Sequence, residues 1–258
     1  METATQTPLD LERRIADAAA GADEEALRQT YIDQDEFLVL DRFLPEEILQ
    51  QWDEELEVLK PHIHRSYIPK HKKGGSVSYQ PIAEMAPALH GVYHSPALQG
   101  LLKAVTGSDV NECPASDLHR CALYAYTEEG DHIGWHYDTS YYKDKRWTLL
   151  VGFQDASTSK LLCRLHTRQE GHAVEELALR VGRGTLVLFS GDKVYHAVSP
   201  LGAGEHRYIV TMQYVTTGRM NPFMRFVSNM KDSIAYFGLR QVFLGGRGRK
   251  TGRPALSP

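Results

Sequence analysis

Through the first hundred residues the apolar positions recur at helical spacing, and from about residue 119 they give way to short apolar runs separated by glycine and proline. Residues 9–30 are rich in Ala, Glu and Arg, with Gly21 set to interrupt them. Pro45 suits the first turn of a helix, and Ile48, Leu49, Trp52, Leu56 and Leu59 then share one face until Pro61. Ser95 followed by Pro96 is a cap and first helical residue for the segment after it. Strands are expected at His119–Tyr126, Trp147–Phe153, Leu161–Leu165, Gly184–Phe189, Val194–Val198 and Arg207–Val215.

Many short strands with Gly/Pro turns indicate a sandwich or barrel. The expected fold is mainly β with flanking helices, a double-stranded β-helix of the cupin-like jelly-roll kind. The chain is expected to divide into an N-terminal helical segment (1–34), one catalytic jelly-roll domain with supporting helices (35–244) and a basic, disordered tail (245–258). The stretch His62–Tyr79, with Lys70, Lys72, Lys73, Gly74 and Gly75, reads as a mobile loop, or as a lid that brings an ammonium to an acidic group.

A formal net charge of −4 with 24% charged residues gives no global attraction to nucleic acid or to an anionic membrane. No stretch approaches the ~20 apolar residues of a membrane span, and the opening segment lacks the apolar core of a signal peptide. Cys113, Cys121 and Cys163 are too widely spaced for a zinc motif or disulfide framework. They read as small buried hydrophobes with reduced thiols, which suits a cytoplasmic protein.

The chemistry lies in His136-Tyr137-Asp138, His196 and Arg207. His136 and Asp138 are two residues apart, so in extended chain both side chains project to one face and can grip one ion. Two imidazoles and a carboxylate leave the other side of a metal open, the arrangement expected of non-haem Fe(II) oxygenases. The runs ending at His196 and starting at Arg207 are separated by Ser199-Pro200-Leu201-Gly202, which reads as a hairpin turn. Such a hairpin makes His196 and Arg207 cross-strand neighbours, roughly 5 Å apart at Cβ. A guanidinium fork would then stand beside the metal, suited to a carboxylate.

The run from Tyr126 to Asp138, with His196 and Arg207, resembles the tyrosine, His-x-Asp, distal histidine and basic residue of prolyl-hydroxylase-like Fe(II)/2-oxoglutarate oxygenases. The resemblance implies Fe(II) on His136, Asp138 and His196, and 2-oxoglutarate on the metal with its far carboxylate on Arg207. Tyr126 and Thr148 would add hydroxyls to the co-substrate. The implied reaction takes O2 and 2-oxoglutarate to succinate and carbon dioxide while hydroxylating an unactivated C–H bond.

A narrower similarity rests on Lys72–Tyr79, His136–Tyr142 and Phe226–Gly238, which look like the free-amino-acid halogenases of the BesD type and their hydroxylating relatives. In those halogenases a glycine replaces the metal carboxylate and leaves room for chloride. Asp138 departs from that pattern, so the resemblance implies hydroxylation of a small molecule, a free amino acid or derivative first among them. A natural-product intermediate and a carrier-bound or peptidyl residue are the alternatives.

The same three ligands can hold Zn(II) with an activated water, and a jelly roll can be a dioxygenase without a keto acid or a non-catalytic binding module. The first two leave Arg207 without a task, and a binding module would tolerate loss of a metal ligand, whereas all three are present. Trp135 and Tyr137, on the opposite face from His136, are expected to pack. Tyr141 and Tyr142 are candidates to face the open metal position. His132 is a candidate donor to substrate or to a carboxylate behind the metal, or an ordinary loop histidine; His90, His94, His166 and His172, without a partner at ligand spacing, are expected at the surface.

Overall fold

The computed structural model describes residues 8–219 except Thr139 and Tyr141. In chain order its elements are α1 (Pro8–Ala20), α2 (Glu24–Asp33), β1 (Phe37–Leu40), α3 (Glu46–Leu59), β2 (His64–Ile68), β3 (Lys72–Val77), α4 (Tyr79–Met85), α5 (Pro87–Tyr93) and α6 (Pro96–Thr106). There follow β4 (Asn111–Glu112), β5 (Cys121–Tyr126), β6 (His132–His136), β7 (Arg146–Ala156), β8 (Leu161–Leu165), β9 (Glu175–Leu179), β10 (Leu186–Ser190), β11 (Tyr195–Val198) and β12 (His206–Val215). The Phe226–Gly238 run and the 245–258 tail lie outside the described residues.

All strand pairs are antiparallel, in the order β1-β10-β7-β12-β5-β3-β6-β11-β8-β9, with β2 added to β3 and β4 to β12. This long sheet curls until its two halves face each other. Phe37, Val187, Phe189 and Ile209 of one half pack against Leu161, Cys163, Leu165 and Val194 of the other. The outer face of the first half carries the helices, so β12 is buried on both sides. Tyr208, Val210, Met212 and Tyr214 meet the helical layer, while Arg207, Ile209, Thr211 and Gln213 point inward. The jelly roll with helices outside one sheet is therefore the fold observed.

The helix over 46–59 forms where its apolar spacing places it, and Ile48, Leu49, Trp52, Leu56 and Leu59 are all buried. Trp52 meets Phe153 of β7 edge to face at 5.5 Å. Each large apolar side chain buried in this way stabilises the fold by about 1.5–3 kcal/mol. The same helix supplies Glu55, whose carboxylate accepts the N–H groups of Ala88 and Leu89 in the first turn of α5. Burial raises the Glu55 pKa to about 7 although those two hydrogen bonds oppose the rise. Glu55→Ala strands two buried donors, and we expect a loss of roughly 2 kcal/mol of stability in denaturant unfolding.

Three sequence expectations change. The stretch 62–79 is the β2–β3 hairpin followed by the start of α4, and β3 pairs with both β5 and β6. Gly75 looks mobile in sequence but answers to close packing: a Cβ there would press on the Ile63 side chain and on the Ala125 carbonyl. Lys72 is fully buried, with its ammonium 5.0 Å from the Tyr124 ring, and burial lowers its pKa to about 7.

Second, β11 and β12 are not a hairpin. β11 pairs with β6 and β8, and β12 with β5 and β7, so the 199–205 connection crosses from one half-sheet to the other. It is pinned on the way by hydrogen bonds from Ser199 to Lys160 and between Leu201 and the Gly130–Asp131 turn. A hairpin loop and a crossover of this length share the same Gly/Pro composition, so the sequence pattern cannot separate them.

Third, His90 and His94 are half-buried and engaged rather than free at the surface. They lie one helical turn apart, and both ring Nε2 atoms reach the Tyr79 hydroxyl, at 2.7 and 3.0 Å. His94 Nδ1 is 2.6 Å from Glu112. The sequence reading missed the spacing because it placed no helix at 87–93.

Candidate metal centre and anion pocket

His136 ends β6, Asp138 follows it, and His196 sits on β11 directly opposite His136 in the ladder. Their ligand atoms lie within 4.8 Å of one another. Asp138 Oδ1 is 3.3 Å from His136 Nε2 and 3.8 Å from His196 Nε2, and the two rings are 4.2 Å apart. The other ring nitrogens are already engaged, His136 Nδ1 with the Gly134 carbonyl at 2.8 Å and His196 Nδ1 with the Val194 carbonyl at 3.1 Å. A carbonyl can only accept, so each Nδ1 carries the proton and each Nε2 presents its lone pair to the centre. The donor set therefore fits a divalent transition metal.

The charges are arranged for the same task. Burial opposes ionisation of Asp138, but His196, His136 and the Thr148 hydroxyl hold its carboxyl well below the usual range. Burial also pulls His196 down, whereas Asp138 outweighs burial at His136 and holds that imidazole above its ordinary value. Gly191 lets β10's end approach this point: its carbonyl accepts the Asp138 N–H at 3.0 Å, and a Cβ there would overlap Asp138's own.

Thr148, expected beside Arg207, is instead tied to Asp138. Its hydroxyl donates to Asp138 Oδ2 at 2.6 Å and lies 3.1 Å from Gln213 Oε1. This fixes the carboxylate with Oδ1 turned toward the imidazoles. Thr148→Val removes the tether without changing shape, and we expect metal affinity to fall about 10- to 100-fold in a competitive chelator titration.

Arg207 lies at the other end of the same cavity, opposite Tyr126 on β5 and Asp155 on β7. It is 1% exposed. Its Nη1 reaches Ser159 Oγ only at 3.4 Å, and its Nε, though buried, has no hydrogen-bond partner among the described residues. Burial lowers its pKa, with Tyr126 and Asp155 opposing. The guanidinium carbon is 5.9 Å from the Tyr126 ring centre. A buried guanidinium this poorly satisfied is costly unless an anion completes it.

Other candidates lie away from the metal cluster. Trp135 and Tyr137 stack with Tyr195 on the outer face, at 5.3 and 4.8 Å, covered by Arg164 and Arg168. They pack, as expected of the face opposite His136. His132 Nδ1 is spent on the Gly130 carbonyl. Tyr142 is buried with its hydroxyl on Asp117, and Tyr141 lies outside the described residues. The three cysteines are buried and unpaired, with burial pushing the Cys113 and Cys163 thiols up to about 12. Sequence reasoning passed over Gln213, yet counting by twos from Arg207 along β12 puts Thr211 and Gln213 on the cavity face.

The Halogenase D family model matches residues 20–143, a stretch that includes His136 and Asp138 but ends before His196 and Arg207. No curated protein matches the chain in sequence. Among solved structures the chain is similar to the non-haem epimerase SnoN from nogalamycin biosynthesis, solved with Fe3+, alpha ketoglutarate and nogalamycin RO. That likeness has 13% identity and a TM-score of 0.59, and covers 91% of this chain and 93% of SnoN. It is also similar to a Pseudomonas putida prolyl-4-hydroxylase, at 16% identity and TM-score 0.55 over 74% of this chain and 97% of that one. A Trichoplax adhaerens prolyl hydroxylase, bound to a hypoxia inducible factor peptide fragment, aligns at 13% identity and TM-score 0.58, covering 87% and 98%. No helix among the described residues is long and apolar enough to cross a membrane. The chain thus has the fold of the Fe(II)/2-oxoglutarate-dependent oxygenase superfamily, with a His/Asp/His cluster and a buried arginine facing one cavity.

Proposed function

We propose that this protein is a non-haem Fe(II) oxygenase that couples oxidative decarboxylation of 2-oxoglutarate to hydroxylation of a C–H bond in a small molecule, a free amino acid or derivative first among the candidates. The observation that carries this reading is the pairing, in one cavity, of a metal-competent His/Asp/His cluster with a deeply buried arginine short of partners. A zinc hydrolase or a binding module would have the first and no use for the second.

His136, Asp138 and His196 would hold Fe(II), their lone pairs pre-aimed by the Nδ1 bonds and by Thr148. Arg207 would take the distal carboxylate of 2-oxoglutarate, with Tyr126 beside it. When bound, the iron and keto acid supply oxidation of a C–H bond by O2, with succinate and carbon dioxide as co-products. The protein's part is to exclude water from the Arg207 end, where Tyr126, Ile133 and Leu201 form an apolar wall, and to hold the target bond near the open metal face. Asp138, where the resembling halogenases have glycine, favours hydroxylation over halogenation.

The test is succinate release from protein, Fe(II), 2-oxoglutarate and O2 in the presence of individual free amino acids. Succinate that rises with one amino acid, matched by a product heavier by one oxygen, is expected. Succinate no higher than that of His136→Ala under any condition overturns the proposal.

A further inference from the structure

Gln213, six residues along β12 from Arg207, lines the cavity beside Thr148, and Arg146, which is not part of that lining, reaches its side chain from behind. Arg146 begins β7 two residues before Thr148, so the two share the inward face; across the ladder Thr148 faces Gln213 and Arg146 faces Val215. A polar chain connects them to the metal cluster. Arg146 Nε donates to Gln213 Oε1 at 3.1 Å, Gln213 Oε1 lies 3.1 Å from Thr148 Oγ1, and Thr148 donates to Asp138.

The Arg146 side chain is only 13% exposed. Among the described residues its nearest acidic oxygen, Asp117 Oδ2, is 4.0 Å away, beyond hydrogen-bond length. Asp117 is engaged elsewhere: Oδ2 accepts the Tyr142 hydroxyl at 2.7 Å, and Oδ1 the His119 N–H at 2.9 Å. Among the described residues, then, no hydrogen bond is made by Nη1 or Nη2, the two nitrogens that would clamp a carboxylate. Burial works against the charge, and Asp117 and Asp138 nonetheless keep Arg146 fully protonated. An arginine serving only to brace the loop at Asp117 would close that ion pair and fill its fork.

We propose that Arg146 is the receptor for the carboxylate of a free α-amino acid substrate, with Asp117 and Gln213 Oε1 placed to accept its ammonium. This deepens, and rests on, the oxygenase reading above. Arg207 at one end of the cavity would then serve the dicarboxylate co-substrate, and Arg146, joined to the lining through Gln213, the substrate, with the metal cluster between them. Charge balance selects the class. Arg146 and Asp117 together are neutral, and so is a zwitterion, so binding leaves no net charge in a nearly dry site. A peptidyl or carrier-bound residue presents a neutral carbonyl at that position and leaves the guanidinium without its anion.

The experiment measures binding to the full chain loaded with Fe(II) and 2-oxoglutarate without O2, using ligand-observed NMR. The probes are the proteinogenic L-amino acids and their α-carboxamides. At least one amino acid is expected to bind, with its carboxamide weaker by on the order of 10- to 100-fold. Arg146→Gln should erase that preference while 2-oxoglutarate affinity stays within about twofold of wild type, the range expected for a site at the far end of the cavity. Where Arg146→Gln fails to fold, Arg146→Lys carries the test, since it keeps the charge and loses the fork: a loss of roughly tenfold for the acid alone is expected. An acid and amide that bind equally, no amino acid binding at all, or an Arg146 variant with the wild-type preference overturns the assignment. Each of these outcomes leaves 2-oxoglutarate binding intact, whereas failure of the oxygenase reading itself appears as no 2-oxoglutarate binding in the wild type.

Discussion

Asp138→Gly ends substrate hydroxylation, with the rate falling on the order of a thousandfold, while the folded protein persists. The argument starts from what the side chain touches. Asp138 Oδ1 is the atom that both imidazole Nε2 groups approach, and Oδ2 is held by Thr148. Removing the carboxylate leaves two neutral ligands and no compensating anion, so divalent metal affinity drops with it. The fold has less at stake. Asp138 belongs to no apolar cluster, its backbone N–H bond to Gly191 survives a glycine, and Thr148 keeps Gln213 as a partner. Run in chloride buffer, the same variant also tests the narrower resemblance, in which a glycine at this position makes room for chloride: a chlorinated product in place of the hydroxylated one supports it. Wild-type hydroxylation by Asp138→Gly would contradict the ligand assignment.

Arg207→Leu has the second large effect, and its sign on stability is diagnostic. Without the guanidinium the distal carboxylate of 2-oxoglutarate enters an apolar site unpaired, at a cost of about 2–5 kcal/mol, so its Kd should rise on the order of 100-fold or more. Thermal stability of the ligand-free protein should hold or increase by about 1 kcal/mol, because a poorly satisfied buried charge gives way to an apolar side chain of similar reach. A purely structural arginine would give the reverse pair of results, lost stability and unchanged 2-oxoglutarate affinity. Both quantities come from one set of thermal scans with and without 2-oxoglutarate and Fe(II).

The sequence displayed the site's residues more clearly than their arrangement. His136 and Asp138 two apart in extended chain already imply a shared face, and the structure places them so. The partnership of His196 and Arg207 was inferred from a hairpin that does not exist; they share the cavity because opposed half-sheets bring them to it, a long-range fact that local patterning does not encode. Thr148, expected at the co-substrate carboxylate, donates to Asp138 instead for the same reason, since β7 runs past the metal cluster before reaching Arg207's end. The β2–β3 hairpin was hidden because Gly75 answers to close contact with Ile63 and Ala125, which in sequence is indistinguishable from flexibility. Gly191 gave no signal at all, because its role is defined only by a neighbour over fifty positions away. Helices with a strong apolar period, such as α3, were legible, and the short α4 and α5, too brief to establish a period, were not.

The central claim, that one cavity holds both Fe(II) and a dicarboxylic keto acid, is tested most directly by anaerobic titration of metal-free protein with Fe(II) and 2-oxoglutarate, following the weak visible charge-transfer band of the chelate. The band should appear only with both components present, saturate at one chelate per chain, and require on the order of 100-fold more 2-oxoglutarate in Arg207→Leu. No band in folded wild-type protein, or an identical titration in the variant, would contradict it.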